Sequence, residues 1–509
     1  MPFNLLALLL TGLCFLYYSC RRENVSREYY RNVFLLMGTG ALTVPWLMDI
    51  KSSHGVLLVL VAFLAWQLLA RQNIDQYHRR YILWMVFFLA LSQAIVCSIQ
   101  SFFPQLAGQL YEYVWLKNGG RPYGIFQQVN VVASFLASGL GCGFLLLITE
   151  KKLIRLVSIL SGLGALAFIL GINQSRVGEL GAGVVLIGIT ITLCRTTSVS
   201  RLLAAWGIIL ATFFVGVWCA NHVHFLVDGK EYLLARDFTK SNFERWNLLK
   251  ITCMMIGQKP WFGWGYGSFE HAFSHYIMAH PELNFKNSAS FSHPHNELLY
   301  AWFQGGVLAL AGMLMLFIGW IKIVVDGFRN SPLSGAYTLL ILPLLIHLNT
   351  EYPFYQSFIH FAMFILLLRV GVIDESYKRS DTSSSLLVRI LYGSVALALL
   401  VFSIAGIAAG QQLTTFERNG LQAYPEEMPW YFNTQQERAR FDGMVALLMD
   451  YNRTKNIDDL KEYMRQAELY SQFHNDKNIL RNMIVVAHKI GDLKKEKEIK
   501  NLYLQLYNN

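Results

Sequence analysis

Histidine is the side chain best suited to proton transfer near neutral pH, and it is concentrated in one polar stretch of the chain. Residues 221–296 hold seven of the thirteen histidines, and the motif SHPHNE at residues 292–297 ends the stretch where a long apolar run begins. A helix cap at Ser292 or His293 would put His295 in the first helical turn, where the positive helix end favours a neutral imidazole. His295 is therefore the predicted general base. The alternative is that these histidines serve only as caps.

Arginine and amide side chains stand where apolar runs are predicted to end. Arg121 lies in the motif GGRPYG at residues 119–124, which predicts a tight turn, and Gln128 and Asn130 begin the next run. Arg176 lies in a short break between two further runs. Charged and amide groups at a membrane boundary are candidates for ligand binding. The alternatives are amide caps, and an arginine that only extends its head group to the interface.

Two later segments add polar groups to this set. Arg245 begins a predicted amphipathic helix, which is followed by the aromatic, glycine-rich turn PWFGWGYG at residues 260–267. Residues 347–355 (HLNTEYPFY) interrupt another apolar run and contain Glu351. Glu351 could orient a histidine or bind a sugar hydroxyl, and it could equally be a solvated acid.

The elements that must position these groups are membrane helices. Hydrophobic residues make up 54% of the 509 residues, the mean hydropathy is +0.36, and apolar runs recur as far as Gly410. A run of about twenty apolar residues crosses a ~30 Å hydrocarbon core as a helix. The sequence predicts an all-α, polytopic helical membrane protein with about twelve transmembrane helices. The predicted spans are 3–20, 33–50, 54–70, 81–103, 129–149, 154–172, 178–194, 202–220, 297–321, 334–349, 357–373 and 386–410.

Charge sets the expected orientation and excludes one function class. One set of alternate loops holds eighteen Lys and Arg, whereas the opposite short loops hold four. The first set is therefore predicted to be cytoplasmic, which places the predicted site on the outward side. The net charge of +10 is explained by these loops, so we expect no binding to nucleic acid.

The spans and loops divide the chain into four predicted regions. Transmembrane helices 1–8 occupy residues 1–220, the large loop 221–296, helices 9–12 residues 297–410, and a soluble helical domain residues 411–509. This last region is charged and has helical patterns with short breaks, as in tetratricopeptide hairpins, but without a clear repeat signature.

The motifs resemble one superfamily, that of O-antigen ligases, O-antigen polymerases and bacterial protein O-oligosaccharyltransferases. The resemblance extends from Arg121 to Tyr355. It rests on GRPxGxFxQxN at 120–130, SRxG at 175–178, the turn at 260–267, HPHNE at 293–297 with Gly305-Gly306, and EYP at 351–353. The Arg-Pro-x-Gly block, the Glu-Tyr-Pro block and the soluble tail look most like the oligosaccharyltransferases that glycosylate pilins.

This resemblance implies a multi-pass enzyme of the bacterial inner membrane, with its active site and its C-terminal domain in the periplasm. It would move a glycan from an undecaprenyl diphosphate carrier to Ser or Thr hydroxyls of periplasmic or membrane-anchored proteins such as pilins. The alternatives within the superfamily are an O-antigen ligase, whose acceptor is lipid A-core, and an O-antigen polymerase. The expected catalytic residues are His295 and Glu351, and the expected substrate-binding residues are Arg121, Gln128, Asn130, Arg176, Arg245, His293, Asn296 and Tyr355.

The residue chemistry fits this reaction independently. A lipid diphosphate is an activated leaving group whose growing charge the enzyme must neutralise, and arginine does this without a metal. No Asp-x-Asp occurs in the chain, which disfavours a metal-dependent nucleotide-sugar mechanism. We therefore expect no metal and no cofactor, with Arg176, Arg245 and Arg121 on the diphosphate and direct attack of the acceptor hydroxyl on the anomeric carbon.

Two other protein classes share some of these features. A secondary transporter would have repeated halves and broken helices at the midplane, and no such repeat is present in the sequence. A membrane O-acyltransferase could use a histidine and an asparagine, but it would need an acyl donor from the cytoplasm, on the side opposite to the predicted position of His295.

Overall fold

The computed structural model describes residues 2–20, 32–48, 55–72, 74–111, 113–115, 119–227, 230–234, 239–283, 285, 291–373 and 386–507. Parts of the predicted loops 21–32 and 369–389, and residues 49, 50 and 54 at the ends of two predicted spans, lie outside this set.

The chain is built almost entirely of helices. Its first half comprises α1 (Pro2–Cys20), α2 (Val33–Met48), α3 (Gly55–Ala70), α4 (Gln76–Phe102), α5 (Pro104–Tyr111), α6 (Val129–Thr149), α7 (Leu153–Asn173), α8 (Arg176–Leu193) and α9 (Val199–His222). The large loop contains a small antiparallel hairpin, β1 (Phe225–Val227) and β2 (Lys230–Tyr232), followed by α10 (Thr239–Gln258) and α11 (Phe269–Ala279). The remainder comprises α12 (Glu297–Asn330), α13 (Pro332–Thr338), α14 (Leu342–Leu348), α15 (Pro353–Gln356), α16 (Phe358–Val370), α17 (Leu386–Arg418), α18 (Gln436–Thr454), α19 (Ile457–Ser471), α20 (Lys477–Ile490) and α21 (Leu493–Tyr507).

The membrane helices lie where the apolar runs predict them. Among the described residues, eight helices are long and apolar enough to cross a membrane, namely α1, α4, α6, α7, α8, α9, α12 and α17. Four shorter apolar segments, α2, α3, α13–α14 and α16, occupy the remaining predicted spans. The all-α polytopic class is confirmed. One span differs from the prediction, because the segment expected at 334–349 is divided into α13 and α14.

Helix α6 is the centre of the largest apolar core. All of its residues from Val129 to Leu147 are buried, and α4, α7, α8 and α14 pack around it. Small residues allow this close packing. A Cβ atom placed on Gly178 would lie 2.5 Å from the Cβ of Ala133, so the start of α8 is pressed against α6. This contact brings the two helix N-termini together.

Helix α12 is interrupted at Gly306, where φ is 66° and ψ is −159°. The interruption exposes the carbonyl groups of Phe303 and Gln304, which accept hydrogen bonds from the backbone N–H groups of Trp264 and Gly265 at 2.7 and 3.1 Å. The turn at 260–267 and the glycine pair at 305–306 therefore form one interlocked unit. A Cβ at Gly306 would come within 2.0 Å of the Trp261 carbonyl oxygen, so only glycine fits there.

The C-terminal helices α18–α21 contact the large loop through α11. The Glu270 carboxylate accepts a hydrogen bond from the backbone N–H of Asn475 at 2.6 Å, and the Asn475 side chain donates to the Ser274 hydroxyl at 2.9 Å. On its other side α11 packs Phe269 and Phe273 into an aromatic cluster with Tyr300 and Phe303 at the start of α12. Helix α11 thus lies between the C-terminal helices and the segment that carries His295.

Candidate active site

Glu351 is the centre of a buried polar cluster at the N-terminal end of α6. Its carboxylate accepts hydrogen bonds from Asn130, from Gln128 at 2.9 Å and from the Arg245 guanidinium at 2.8 Å. The His347 Nε2 atom lies 3.4 Å from the same carboxylate. Glu351 is only 4% exposed, so these side chains supply the solvation that water would otherwise provide. Residues separated by more than 200 positions in the sequence meet at this carboxylate.

Helix caps fix two of the elements that meet here. The Gln128 side chain accepts the backbone N–H of Val131 and so caps α6, while its Nε2 group reaches Glu351. Ser175 caps α8, and its hydroxyl donates to Asn130 at 2.7 Å. The predicted alternative, amide groups as caps, therefore holds for Gln128 at the same time as its contact with Glu351.

The glycine-rich turn before α6 is held by glutamines of α4. The Gln100 side chain accepts the N–H groups of Tyr123 and Gly124 at 2.9 and 2.8 Å and donates to the Gly124 carbonyl. Gly124 has φ of 58°, and a Cβ there would lie 2.7 Å from Gln93. The turn is consequently anchored in the buried part of the molecule, directly before the cap of α6.

A second buried carboxylate, Glu297, lies at the start of α12. It accepts a hydrogen bond from the Tyr355 hydroxyl at 2.8 Å, and its other oxygen lies 3.1 Å from His293 Nε2. His293 is 3% exposed, and its ring contacts the rings of Tyr300 and Tyr352 with centroid distances of 4.3 and 4.7 Å. His293 and Tyr355 therefore belong to the Glu297 cluster.

His295 lies between the two carboxylate clusters, but not where the sequence predicts it. The cap of α12 is Asn296, whose side chain accepts the N–H of Leu299 at 3.0 Å, rather than Ser292 or His293. His295 precedes the helix and has a left-handed backbone with φ of 58°. The prediction of a first-turn position was wrong because Asn296, a residue type favoured at N-caps, takes the cap three residues after His293 and four after Ser292.

The neutral state expected for His295 has a different physical cause. Burial lowers the pKa of the His295 imidazole to about 4, the charge of Arg245 acts in the same direction, and the Glu351 charge and a hydrogen bond with the Thr350 backbone oppose them. The Nδ1 atom is buried and has no hydrogen-bond partner among the described residues. The ring is therefore unprotonated near neutral pH and has one nitrogen available as an acceptor.

Glu351 is held as a carboxylate. Burial alone would raise the pKa of its carboxyl group, but the hydrogen bond from His347 and the charge of Arg245 lower it to about 2. A carboxylate with this many donors is a fixed negative charge across the physiological range. The Glu351 carboxylate can therefore hold the cationic and amide side chains around it in fixed positions.

The structure brings eight of the predicted site residues into these two clusters and the segment between them, namely Gln128, Asn130, Arg245, His293, His295, Asn296, Glu351 and Tyr355. Arg121 and Arg176 are not among the side chains described as contacting the Glu351 carboxylate. Arg176 follows the cap residue Ser175 at the exposed start of α8, near the Glu179 side chain of the same helix. Arg121 is half-buried in the turn that Gln100 anchors.

Four residues of the site were not predicted: Glu297, His347, Ser134 and Ser175. The His347 Nδ1 atom forms a 2.7 Å hydrogen bond with the Ser134 hydroxyl, which orients its ring towards Glu351. A sequence signal did exist for two of them. In both clusters the histidine and the glutamate are four residues apart, as His293 with Glu297 and His347 with Glu351.

Among the described residues, no group of three or more His, Cys, Asp or Glu side chains could hold a metal ion. Metal independence itself stays a prediction.

Known proteins share two parts of this chain. The family model described as O-Antigen ligase matches residues 162–314, and the model described as Virulence factor membrane-bound polymerase, C-terminal, matches residues 336–508. The chain is also similar to an O-antigen ligase of Salmonella typhimurium (strain LT2), with 27% identity over 171 residues. These residues are 33% of this chain and 40% of that protein, so the chain spans about two fifths of the length of this curated relative.

The matched regions contain the central residues of the site. Residues 162–314 include Arg176, Arg245 and the 293–297 segment, and residues 336–508 include Glu351. Each family model matches about a third of the chain, so these matches show similarity to O-antigen ligases and membrane-bound polymerases over those two regions.

Proposed function

We propose that this protein is an O-oligosaccharyltransferase of the bacterial inner membrane. It moves a glycan from undecaprenyl diphosphate to Ser or Thr hydroxyls of periplasmic proteins, with pilin-like proteins as the acceptor class. The observation that carries the proposal is a neutral imidazole, that of His295, whose buried Nδ1 atom has no hydrogen-bond partner among the described residues. It lies close to the Arg245 guanidinium, which donates a hydrogen bond to the buried carboxylate of Glu351. The reaction requires a base to take the proton of the acceptor and a cation to neutralise the diphosphate leaving group, and the two must lie side by side.

Arg245 is suited to the diphosphate. Glu351 accepts one hydrogen bond from its terminal NH2 group, the side chain is partly exposed, and a guanidinium carries five N–H donors. Glu351 therefore orients the planar fork, and other donors can bind phosphate oxygens. We assign Arg176 and Arg121 to the same diphosphate from the neighbouring helix start and turn.

His295 takes the proton. The acceptor hydroxyl transfers its proton to the imidazole while its oxygen attacks the anomeric carbon of the glycan. The new carbon–oxygen bond forms as the bond from the anomeric carbon to the diphosphate oxygen breaks. The lipid diphosphate leaves with both electrons of that bond, and the arginines neutralise its developing charge. No covalent enzyme intermediate is formed.

A second candidate is supported by the comparisons. The O-antigen ligase match and the Salmonella relative favour transfer to a lipid acceptor, and the polymerase match favours transfer to another glycan. The donor chemistry is the same in all three reactions, and only the acceptor differs. The acceptor is thus the quantity to measure.

The test is transfer to defined acceptors. The full chain is expressed with a lipid-linked glycan pathway in cells that lack other such transferases, together with a pilin, with lipid A-core or with a second lipid-linked glycan. We expect the pilin to gain the mass of the glycan, and His295→Ala to abolish the gain. A mass gain only on lipid A-core or on a growing glycan would assign the protein to the second candidate.

Orientation is tested separately. A phosphatase reporter fused after residue 411 should be active in the periplasm, and one fused at Lys152 should be silent, because the loops richest in Lys and Arg are expected in the cytoplasm. The reverse pattern would put His295 in the cytoplasm and overturn the proposed reaction.

A further inference from the structure

We propose that Glu297, His293 and Tyr355 form a positioning assembly that holds the His295 backbone in its left-handed conformation and thereby aims the imidazole at the Glu351–Arg245 pair. The inference rests on the proposed function for the role of His295. It adds Glu297, which lies in the HPHNE motif but was not among the predicted site residues, and it gives His293 and Tyr355 a role other than substrate binding.

The hydrogen bonds fix the tautomer of His293. The backbone N–H of His295 donates to His293 Nδ1 at 2.8 Å. An amide N–H is always a donor, so Nδ1 must be the unprotonated acceptor and Nε2 must carry the hydrogen. That hydrogen points to Glu297 Oε2 at 3.1 Å. Protonation of Nδ1 would place two donors against each other and release the backbone of His295.

Glu297 is anchored on its other side. Its second oxygen accepts the Tyr355 hydroxyl at 2.8 Å, so each carboxylate oxygen has one donor. Glu297 is also the first residue of α12, where the helix end favours a negative charge. The carboxylate therefore has a fixed position from which it orients the His293 ring, in the way that a carboxylate fixes a histidine tautomer in catalytic triads.

His293 is not a second base. Both of its ring nitrogens are engaged, its ring lies between Tyr300 and Tyr352, and it is 3% exposed. The buried Nδ1 of His295, by contrast, has no hydrogen-bond partner in the described part of the chain. The two histidines of the motif thus have separate tasks, since one accepts a backbone hydrogen bond and the other is left available.

The left-handed backbone of His295 needs this support. A residue with a Cβ is strained at φ of 58°, and such strain persists at functional sites only when surrounding contacts enforce it. The hydrogen bond to His293 and the Asn296 cap of α12 enforce it from both sides. When the first is lost, the segment can relax to an ordinary backbone and the imidazole turns away from Glu351.

The test measures the environment of His295 as well as transfer. The purified full chain in nanodiscs is treated with diethyl pyrocarbonate at pH 7, and the rate of His295 carbethoxylation is read by mass spectrometry. The variants are His293→Ala, His293→Asn, Glu297→Gln and Tyr355→Phe. The Asn side chain offers an oxygen near the position of Nδ1, and Gln at 297 replaces one acceptor oxygen with a donor. His488→Asn, at an exposed histidine paired with Glu496 in the C-terminal helices, is the matched control.

We expect His293→Ala and Glu297→Gln to speed modification of His295 at least ~5-fold, because the ring leaves its buried position. With an undecaprenyl diphosphate-linked fluorescent trisaccharide as donor, kcat should fall ~10²-fold, because a displacement of a reacting group by ~1 Å lowers the rate by about that factor. KM for this donor should change less than ~2-fold. His293→Asn should keep the carbethoxylation rate and kcat close to the wild-type values. Tyr355→Phe should change both less than His293→Ala does, and His488→Asn should change neither.

Each other outcome is decisive. Unchanged carbethoxylation of His295 in His293→Ala, Glu297→Gln and Tyr355→Phe would overturn the positioning role, and so would an Asn variant as damaged as the Ala variant. Tyr355→Phe removes only one hydroxyl group and keeps the test valid if the other variants misfold. Wild-type protein that transfers no glycan, but shows the expected pattern of modification rates, would refute the proposed function and leave the positioning assembly standing.

Discussion

Helix α6 has a buried carboxylate paired with arginine at each end, and the two ends differ in kind. At its C-terminal end Glu150 accepts the backbone N–H groups of Lys151 and Lys152 at 2.8 and 3.0 Å and forms an ion pair with Arg80. At its N-terminal end Glu351 accepts hydrogen bonds from Asn130 of α6 and Arg245 of α10, and His347 of α14 lies beside it. Both glutamates are buried and both face arginine.

The difference lies in what surrounds each pair. The donors to Glu150 include the next two residues of its own chain, and Arg201 satisfies the nearby carbonyls of Ile148 and Glu150 at 2.9 Å. The donors to Glu351 are distant in sequence, and beside them lies the His295 imidazole, whose buried Nδ1 atom has no hydrogen-bond partner among the residues that the structure describes. A buried ion pair alone is thus a structural feature of a helix end, and the imidazole of His295 is what distinguishes the proposed active site from the Glu150 end.

The largest effect should come from the imidazole itself. His295→Ala should lower the rate of glycan transfer by ~10²–10⁴-fold, the contribution of a positioned general base. Donor binding should persist, since Arg245 and Glu351 stay in place. Single-turnover transfer and donor binding are measured separately on equal amounts of purified protein. A loss of donor binding with unchanged turnover of bound donor would reassign His295 to the diphosphate site.

Neutralising the two carboxylates separates the two ends of α6. Glu351→Gln should lower transfer by ~10²-fold, because Arg245 loses the charge that orients it and moves from its productive position. Glu150→Gln should lower the thermal stability of the protein and leave turnover per folded molecule unchanged. Thermal unfolding and turnover are compared for both variants. Equal losses of turnover would show that Glu351 has no more to do with the reaction than Glu150.

Arginine-to-lysine substitutions sharpen the same contrast. Arg245→Lys and Arg176→Lys keep the charge but lose the planar fork, so donor affinity should fall about tenfold, the worth of one charge-assisted hydrogen bond. Arg80→Lys, at the Glu150 end, should bind donor normally. Binding of an undecaprenyl diphosphate-linked glycan to each purified variant is the measurement. Wild-type affinity of Arg176→Lys and Arg176→Ala would show that Arg176 only reaches the interface.

Titration of His295 should respond to charges at one end of α6 only. With the pKa of His295 lowered to about 4, the imidazole is the unprotonated base throughout pH 6–8, and transfer should decline only as the pH falls towards 4. Arg245→Gln removes a positive charge and should raise this pKa, whereas Glu351→Gln removes a negative charge and should lower it. The pH dependence of His295 carbethoxylation reports both shifts. Arg80→Gln should produce neither, and a shift there would contradict the separation of the two ends.

Chelation should have the smallest effect. If arginines neutralise the diphosphate, extensive dialysis against EDTA should change transfer by less than ~2-fold. The control adds back Mg²⁺ or Mn²⁺ to the same sample. Loss of transfer on chelation and its recovery with a divalent ion would require a metal at the diphosphate.

The spans could be predicted from sequence because their signal is local. A run of about twenty apolar residues has one stable solution in a bilayer, and the loops on the site side were recognised by polar residues at the ends of those runs. The interruptions of the spans could not be predicted in this way, because their causes are not local. The break between α13 and α14 and the non-helical Gly306 depend on packing partners, such as the turn at 260–267, that composition does not reveal.

The site shows the same division. Residue types at helix ends identified Glu351, Arg245 and His295 as candidates, but their pairing depends on contacts between residues more than 50 positions apart. Ser134 and Ser175 were missed because a hydroxyl inside or beside an apolar run is common and gains meaning only from its partner, His347 or Asn130. The cap of α12 was misplaced because the competing candidates, Ser292 and Asn296, are both good N-caps, and tertiary contacts decide between them.

The interruption of α12 at Gly306 has a mechanical consequence. The segment 297–305 is tied to the turn at 260–267, whereas the segment beyond Gly306 continues across the apolar region. Membrane helices adapt to bilayers of different thickness by tilting, and a rigid α12 would carry His293 and Glu297 along with any such tilt. The series of helical hydrogen bonds is broken at Gly306, so residues 307–330 can tilt while residues 297–305 stay in place. The distance between the Glu297 and Glu351 clusters is therefore insulated from changes in the surrounding lipid.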